Sequence, residues 1–115
     1  MQEALRRFKS DIFQALAHPT RIAIIELLRD GGMLAGTLAE RLGLEPANVS
    51  QHLAILRSKK IVECHRDGNQ VCYSLRDSTL LEVLDIMRRY FLAHLNEATQ
   101  MLHQIELEQG GTQTG

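Results

Sequence analysis

Two short helical segments joined by a tight turn constrain this sequence more than any other feature. Residues 36–42 predict a first helix with Thr37 as its N-cap, and a second helix is predicted over about 46–59. Between them, Gly43 suits the left-handed end of a helix, and Pro46 suits the first turn of the next one. Two helices that meet across about four residues predict a helix-turn-helix.

The second helix of this pair has two contrasting faces. Val49, Leu53 and Leu56 recur at spacings of four and three, so this stripe is predicted to be buried. Asn48 and Gln51 lie among small, uncharged side chains on the outer side. A surface of that kind can enter a groove of DNA without repelling the phosphates.

An alternating pattern follows the second helix directly. Residues 61–66 and 70–75 alternate between apolar and polar side chains around Asp67-Gly68-Asn69, and Asp-Gly between such runs is typical of a β-hairpin. Residues 31–36 are rich in glycine and are expected to form a loop. The predicted fold class is mainly α with a small β-hairpin wing, that is, a winged helix-turn-helix.

Amphipathic helices are predicted at both ends of the chain, over residues 3–17 and from Asp77 to about residue 108. Both carry more apolar residues than one small core can cover, which favours a dimer. Residues 1–108 are assigned to one winged helix-turn-helix domain with these two dimerisation helices, and residues 109–115 to a disordered tail. The predicted dimer interface contains Leu5, Phe8, Ile12, Leu84, Met87, Phe91 and Leu95.

Composition and charge exclude several classes of protein. A chain of 115 residues, 44% of them hydrophobic, has room for one modest core, so a two-lobed enzyme is excluded. The net charge of -1 argues against a uniformly basic nucleic-acid binder, but residues 46–76 carry five basic and two acidic side chains. No segment approaches the roughly 20 apolar residues that cross a bilayer, and no catalytic Ser-His-Asp arrangement is evident. We expect a cytoplasmic protein that is not an enzyme and has no membrane partner.

Three longer motifs occur in a characteristic order. They are Ala15-Leu-Ala-His-Pro-Thr-Arg-Ile, then Leu38-Ala-Glu-Arg-Leu-Gly with Asn48-Val-Ser-Gln-His-Leu-Ala-Ile-Leu, and finally Arg66-Asp-Gly-Asn-Gln-Val-Cys-Tyr-Ser-Leu. Over about residues 8–97 this order resembles the ArsR/SmtB family of winged helix-turn-helix repressors. The resemblance implies a homodimer that leaves its operator DNA when a small effector binds: a metal, a metalloid, a reactive sulfur species or an oxidant. Lys60 stands where the family usually has Gly.

The resemblance also implies which residues contact DNA. Ser50 and Gln51 lie near the N-terminal end of the second helix, where side chains can reach base edges. Arg66, beside the hairpin tip, is placed like a wing arginine that enters a minor groove or binds phosphate. His52 has two interpretations, a bridge from this helix to the rest of the domain or a phosphate contact. The predicted DNA-binding residues are Asn48, Ser50, Gln51, His52, Arg57, Lys59, Arg66 and Asn69.

The sequence leaves the effector and any cofactor open. Asp77, His94 and Glu97 match part of the family's metal site on the long helix, but a closed tetrahedral zinc site needs four ligands. Cys64 and Cys72 flank the wing and are candidates for a redox site.

The turn of the hairpin decides whether these cysteines can meet. A two-residue turn places Cys64 on the apolar face and leaves Cys72 on the other face near His65, open to water. A three-residue turn would set the two cysteines opposite each other and permit a disulfide.

Two other functions fit the same pattern. A winged helix could present its outer face to a protein partner and never bind DNA, or it could bind DNA without any effector. Salt-dependent, sequence-specific DNA binding distinguishes the first alternative from a repressor, and a screen of effectors distinguishes the second.

Overall fold

The computed structural model describes residues 1–113, and the order of its elements confirms a mainly helical winged helix-turn-helix fold. A short 3₁₀ turn, Leu28–Asp30, ends the second helix. The elements are α1 (Gln2–Leu16), α2 (Pro19–Leu27), β1 (Met33–Leu34), α3 (Ala35–Leu42), α4 (Pro46–Ser58), β2 (Val62–Asp67), β3 (Gln70–Leu75) and α5 (Thr79–Gln113). The residues form two compact units, the first being Met1–Leu81 and the second beginning at Glu82.

The predicted turn between α3 and α4 is confirmed. Gly43 has a left-handed backbone with φ of 65° and ends α3, while Pro46 opens α4. The prediction of Thr37 as the N-cap of α3 is wrong, because the helix begins at Ala35 after Leu34, whose backbone is extended. Leu34 belongs to β1, so strand pairing sets the backbone just before the helix and no side-chain cap forms.

The apolar stripe of α4 lies in the core of the first unit, as predicted. Val49, Leu53 and Leu56 are fully buried together with Ile24, Ile25 and Leu38. α4 packs against α2 and α3 through this stripe and also contacts β2. The opposite face is left at the surface of the unit.

The wing is a three-stranded antiparallel sheet rather than a plain hairpin. Its strand order is β1-β3-β2, and β1 pairs Met33 with Tyr73 and Leu34 with Cys72. The expectation of a loop over residues 31–36 is therefore wrong at Met33 and Leu34, which form β1, and at Ala35 and Gly36, which begin α3. Two residues are too few to show the alternation by which a strand is recognised in a sequence.

The register of the hairpin follows the two-residue turn. Asp67 pairs with Gln70, which leaves Gly68 and Asn69 as the turn, and Cys64 pairs with Tyr73. The free thiols of Cys64 and Cys72 consequently lie on opposite faces of the sheet.

Neither thiol is placed quite as expected. Both cysteines are half-buried, so Cys64 is not fully inside the core and Cys72 is not open to water. A Cβ atom added to Gly32 would lie 2.8 Å from the Cys72 Sγ, which shows that this sulfur packs against the glycine. The reason is β1, which adds a third strand beside Cys72.

The last helix is longer than expected. α5 continues to Gln113, so residues 109–113 are helical where a disordered tail was predicted, and residues 114–115 lie outside the described part of the chain. Once a helix is formed, adding a residue costs far less than starting a new one, and no proline interrupts this segment.

Lys60 adopts the left-handed conformation that glycine favours, with φ of 59°. Lys60→Gly is expected to raise the free energy of unfolding by about 1 kcal/mol, because glycine has no Cβ to strain this backbone. Urea unfolding with an unchanged m-value would measure the gain. The matched control is Lys59→Gly at φ of -92°, where glycine only adds freedom to the unfolded chain and should destabilise the protein. Equal losses at both positions would contradict the prediction.

Candidate nucleic-acid interface

The outer face of α4 is exposed and uncharged, with hydrogen-bonding side chains beside Ile55 and two alanines. Asn48, Ser50 and Gln51 are all exposed, and buried Val49 holds the other side of the same turn in the core. These side chains lie in the N-terminal half of α4, where the first backbone N–H groups have no partner within the helix. Amide and hydroxyl groups at this position can bond to base edges or phosphates in a major groove.

Cationic side chains lie near this face. Arg57 lies in the last turn of α4, Lys59 follows it, and Arg66 lies on β2 beside the wing tip with Asn69 in the turn. All four are exposed. Long, exposed cationic side chains near a hydrogen-bonding helix face are suited to contacts with DNA phosphates.

His52 points away from the exposed face and contacts α2. Its ring lies 4.3 Å from the ring of His18, centroid to centroid, and its Nδ1 lies 3.3 Å from Nη1 of Arg21. Burial, followed by the charges of His18 and Arg21, lowers the pKa of His52 below the ordinary value of 6.5. Of the two interpretations of His52, the bridge to the rest of the domain is therefore present, and the phosphate contact stays a prediction.

The predicted dimer residues differ in their exposure. Leu5, Phe8, Met87, Phe91 and Leu95 are exposed, with Phe8 at 62% and Phe91 at 60%. Ile12 is half-buried, and Leu84 is only 8% exposed in the single chain, so Leu84 offers little area to a partner.

Sequence reasoning also left out part of the exposed apolar surface. On the second unit it includes Ile86, Tyr90, Leu92, Met101, Leu102, Ile105 and Leu107. Leu102 and Ile105 continue the three-and-four spacing of the predicted stripe, although the residues chosen for the interface end at Leu95. The other five lie off that stripe, so its spacing gave no signal for them.

The candidate metal ligands already have other partners. The Asp77 carboxylate accepts a hydrogen bond of 2.9 Å from the backbone N–H of Thr79, and this bond lowers the pKa of Asp77. His94 Nδ1 lies 3.6 Å from a carboxylate oxygen of Glu97, and the ring of Tyr90 packs edge-on against His94. Within residues 1–113, no three His, Cys, Asp or Glu side chains of the single chain are grouped so that they could hold a metal ion.

None of the helices in the described part of the chain is long and apolar enough to span a membrane.

Comparison with known proteins gives a consistent result. A family model described as a helix-turn-helix domain matches residues 16–65. The uncharacterised HTH-type transcriptional regulator Rv0081 of Mycobacterium tuberculosis is 36% identical over 113 residues, which cover 97% of each chain. The transcriptional repressor SdpR of Bacillus subtilis is 33% identical over 81 residues, which cover 70% of this chain and 90% of SdpR.

Solved structures agree with these relatives. The crystal structure of Rv0081 aligns with a TM-score of 0.75, covering 83% of this chain and 96% of that one at 36% identity. The homodimeric winged helix-turn-helix DNA-binding domain of Mb0332 from Mycobacterium bovis, described as a possible ArsR-family regulator, aligns with a TM-score of 0.72. That alignment covers 81% of this chain and 89% of that one at 25% identity.

Fold, sequence and site therefore lead to one conclusion. The relatives are transcriptional regulators rather than enzymes, and the motifs that resembled one family lie on α2, on the helix-turn-helix and on the wing. This chain belongs to the ArsR/SmtB family of winged helix-turn-helix, DNA-binding transcriptional regulators.

Proposed function

We propose that this protein is a cytoplasmic homodimeric repressor that binds an inverted-repeat operator and leaves it when a small effector binds. One observation carries the proposal: the exposed face of α4 carries uncharged, hydrogen-bonding side chains, and exposed cations lie at the C-terminal end of α4 and on the neighbouring strand β2. A helix face that contacts only solvent would be expected to carry charged side chains at the exposed positions of α4.

Each predicted contact has a distinct role in this proposal. Gln51 and Asn48 read bases in the major groove, since their amides can both donate and accept hydrogen bonds. Ser50 bonds to a base or a phosphate, whereas Arg57 and Lys59 neutralise phosphates. Arg66 and Asn69 contact the adjacent backbone or minor groove from the wing.

The dimer is proposed from the exposed apolar side chains at the two ends of the chain. Phe8 on α1 and Phe91 on α5 are each about three-fifths exposed, at 62% and 60%. Large apolar side chains clustered at this exposure are typical of an interface. Mb0332, which has this fold, is homodimeric, and SdpR is a repressor. Two α4 helices in one dimer would fit two half-sites about one DNA turn apart.

The thiols of the wing and the His94–Glu97 pair are the groups through which an effector could act. Two free thiols lie on the wing, and the His94–Glu97 pair lies on α5, but neither forms a closed ligand set within residues 1–113. We therefore propose a screen of zinc, cadmium, arsenite, persulfide and peroxide, measuring both the melting temperature and DNA release. An effector that binds the DNA-free form more tightly must raise its melting temperature and lower operator affinity together.

Operator binding itself is tested by a mobility shift on the DNA upstream of the protein's own gene and on duplexes enriched from random sequence. We expect affinity at least about a thousandfold above that for random DNA, with a steep loss as salt is raised. Failure to shift any enriched duplex would contradict the repressor and favour a protein-docking role for the same face.

A further inference from the structure

A single guanidinium links three helices of the first unit. Arg21, in the first turn of α2, donates from Nε to the carbonyl of Ala15 and from Nη2 to the carbonyl of Gln14, the latter at 3.3 Å. Both carbonyls belong to the last turn of α1. The remaining nitrogen, Nη1, lies 3.3 Å from Nδ1 of His52 on α4. Arg21 therefore joins the end of α1 to the helix that carries the polar outer face.

The partner histidine is held from a second side. The ring of His18 lies 4.3 Å from that of His52 at an interplanar angle of 45°. His18 is itself fixed, because its Nδ1 accepts a hydrogen bond of 3.1 Å from the backbone N–H of Thr20 and so caps α2. His52 is thus held between a hydrogen-bond donor and an aromatic ring, both supplied by the start of α2.

We propose that Arg21 and His52 are positioning residues for operator recognition, and that the Arg21–His52 hydrogen bond fixes α4 relative to α1. The proposal rests on the proposed function, in which α4 enters the DNA groove and α1 contributes to the dimer. In a dimer, a change in the angle of α4 would misplace the recognition residues at both half-sites. Loss of the Arg21–His52 hydrogen bond, called the clamp below, should therefore weaken specific binding more than non-specific binding. Neither residue needs to touch DNA for this effect.

The clamp has a defined protonation requirement. Arginine offers only donors, so His52 must accept through an unprotonated Nδ1. Adding a proton there removes the acceptor and places a second positive charge beside the guanidinium. The Arg21–His52 hydrogen bond is therefore intact at pH values above the pKa of His52, which lies below the ordinary value of 6.5, and it is lost as the pH falls through that lowered pKa.

The charged groups around α4 support this direction. His18 and Arg21 are the groups whose charges shift the pKa of His52, and both disfavour the protonated ring. α2, α3 and β2 pack against α4. Besides Arg21, their titratable or charged residues are Glu26, Glu40, Arg41, Glu63, Cys64, His65, Arg66 and Asp67.

The test uses the full-length protein, with an enriched operator and a random duplex measured over a pH series that runs from 7.5 down through the pKa of His52, as an NMR titration of the same protein gives it. For the wild type, we expect the operator-to-random affinity ratio to fall about tenfold on acidification, the scale of one lost hydrogen bond to a charged group. His52→Asn keeps an acceptor near the Nδ1 position but cannot titrate, so its operator-to-random affinity ratio should change little with pH. Arg21→Gln should lower the ratio at pH 7.5. His103→Asn, at an exposed site on α5, is the matched control and should behave as the wild type does.

A second measurement does not depend on DNA. NMR titration of the free protein should give His52 a pKa below the ordinary value of 6.5, and Arg21→Gln should raise the pKa of His52, because a nearby positive charge is removed. If the wild type binds no operator, the proposed function fails, while the clamp is still judged by this titration. An unchanged His52 pKa in Arg21→Gln would overturn the clamp. The clamp would also be overturned if acidification raised the operator affinity of the wild type but not of His52→Asn. That result would assign His52 to a phosphate contact.

Discussion

A chain carrying Phe91→Glu is expected to sediment as a monomer of 13.0 kDa and to lose specific operator binding. Phe91 is 60% exposed, and Met87 and Leu95 lie one turn away on the same side of α5. A carboxylate at this position would have to be desolvated within an apolar interface, which a proposed dimer cannot tolerate without a paired cation. Because a monomer can occupy only one half-site, affinity should fall to about that for random DNA, a loss of about a thousandfold or more.

Gln100→Glu is the matched control for this experiment. It introduces the same carboxylate, but position 100 lies on the opposite side of α5 from position 91, at about 100° per residue. Analytical ultracentrifugation at micromolar concentration should show a dimer for the wild type and for Gln100→Glu. A wild-type chain that sediments as a monomer, or a Phe91→Glu dimer that still binds the operator, would contradict the proposed interface.

Gln51→Ala is expected to weaken operator binding by about 1–3 kcal/mol and to leave binding to random DNA almost unchanged. The Gln51 side chain is exposed on the polar face of α4, directly before half-buried His52, so its removal opens no cavity. An amide that bonds to one base discriminates among sequences, whereas a lost phosphate contact weakens binding to all of them.

Arg66→Ala provides the contrast. It should weaken operator and random DNA alike and reduce the slope of log affinity against log salt by about one, the amount expected for one neutralised phosphate. Fluorescence anisotropy on both duplexes over a salt series measures the two variants together. Equal losses for Gln51→Ala on the operator and on random DNA would reassign Gln51 to a backbone contact.

Periodic patterns along the chain predicted the elements that position the candidate interface. The stripe of Val49, Leu53 and Leu56 predicted the buried face of α4, and all three are at most 1% exposed. The alternation around Gly68 predicted a hairpin whose register separates Cys64 from Cys72, as the strand pairing shows. These features depend on residues within one or two turns of each other, so the local sequence contains the information needed.

Other features have no local signature. β1 is two residues long and exists only because β3 lies beside it, which is why residues 31–36 were expected to form a loop. Spacing alone assigns Leu84 to the same stripe as Met87 and Phe91, yet in the folded chain Leu84 is buried and the other two are exposed. Helical spacing defines a face but not what covers it.

Short-range periodicity and backbone preferences in the sequence specify the helix-turn-helix, the exposed face of α4 and the hairpin. The left-handed backbone of Lys60 is known only from the structure, because lysine has no preference for that conformation. The tertiary structure alone decided that His52 bonds to Arg21, which lies 31 residues earlier in the chain. A polar contact over that separation leaves no periodic trace, and it forms only after apolar packing has brought α2 and α4 together.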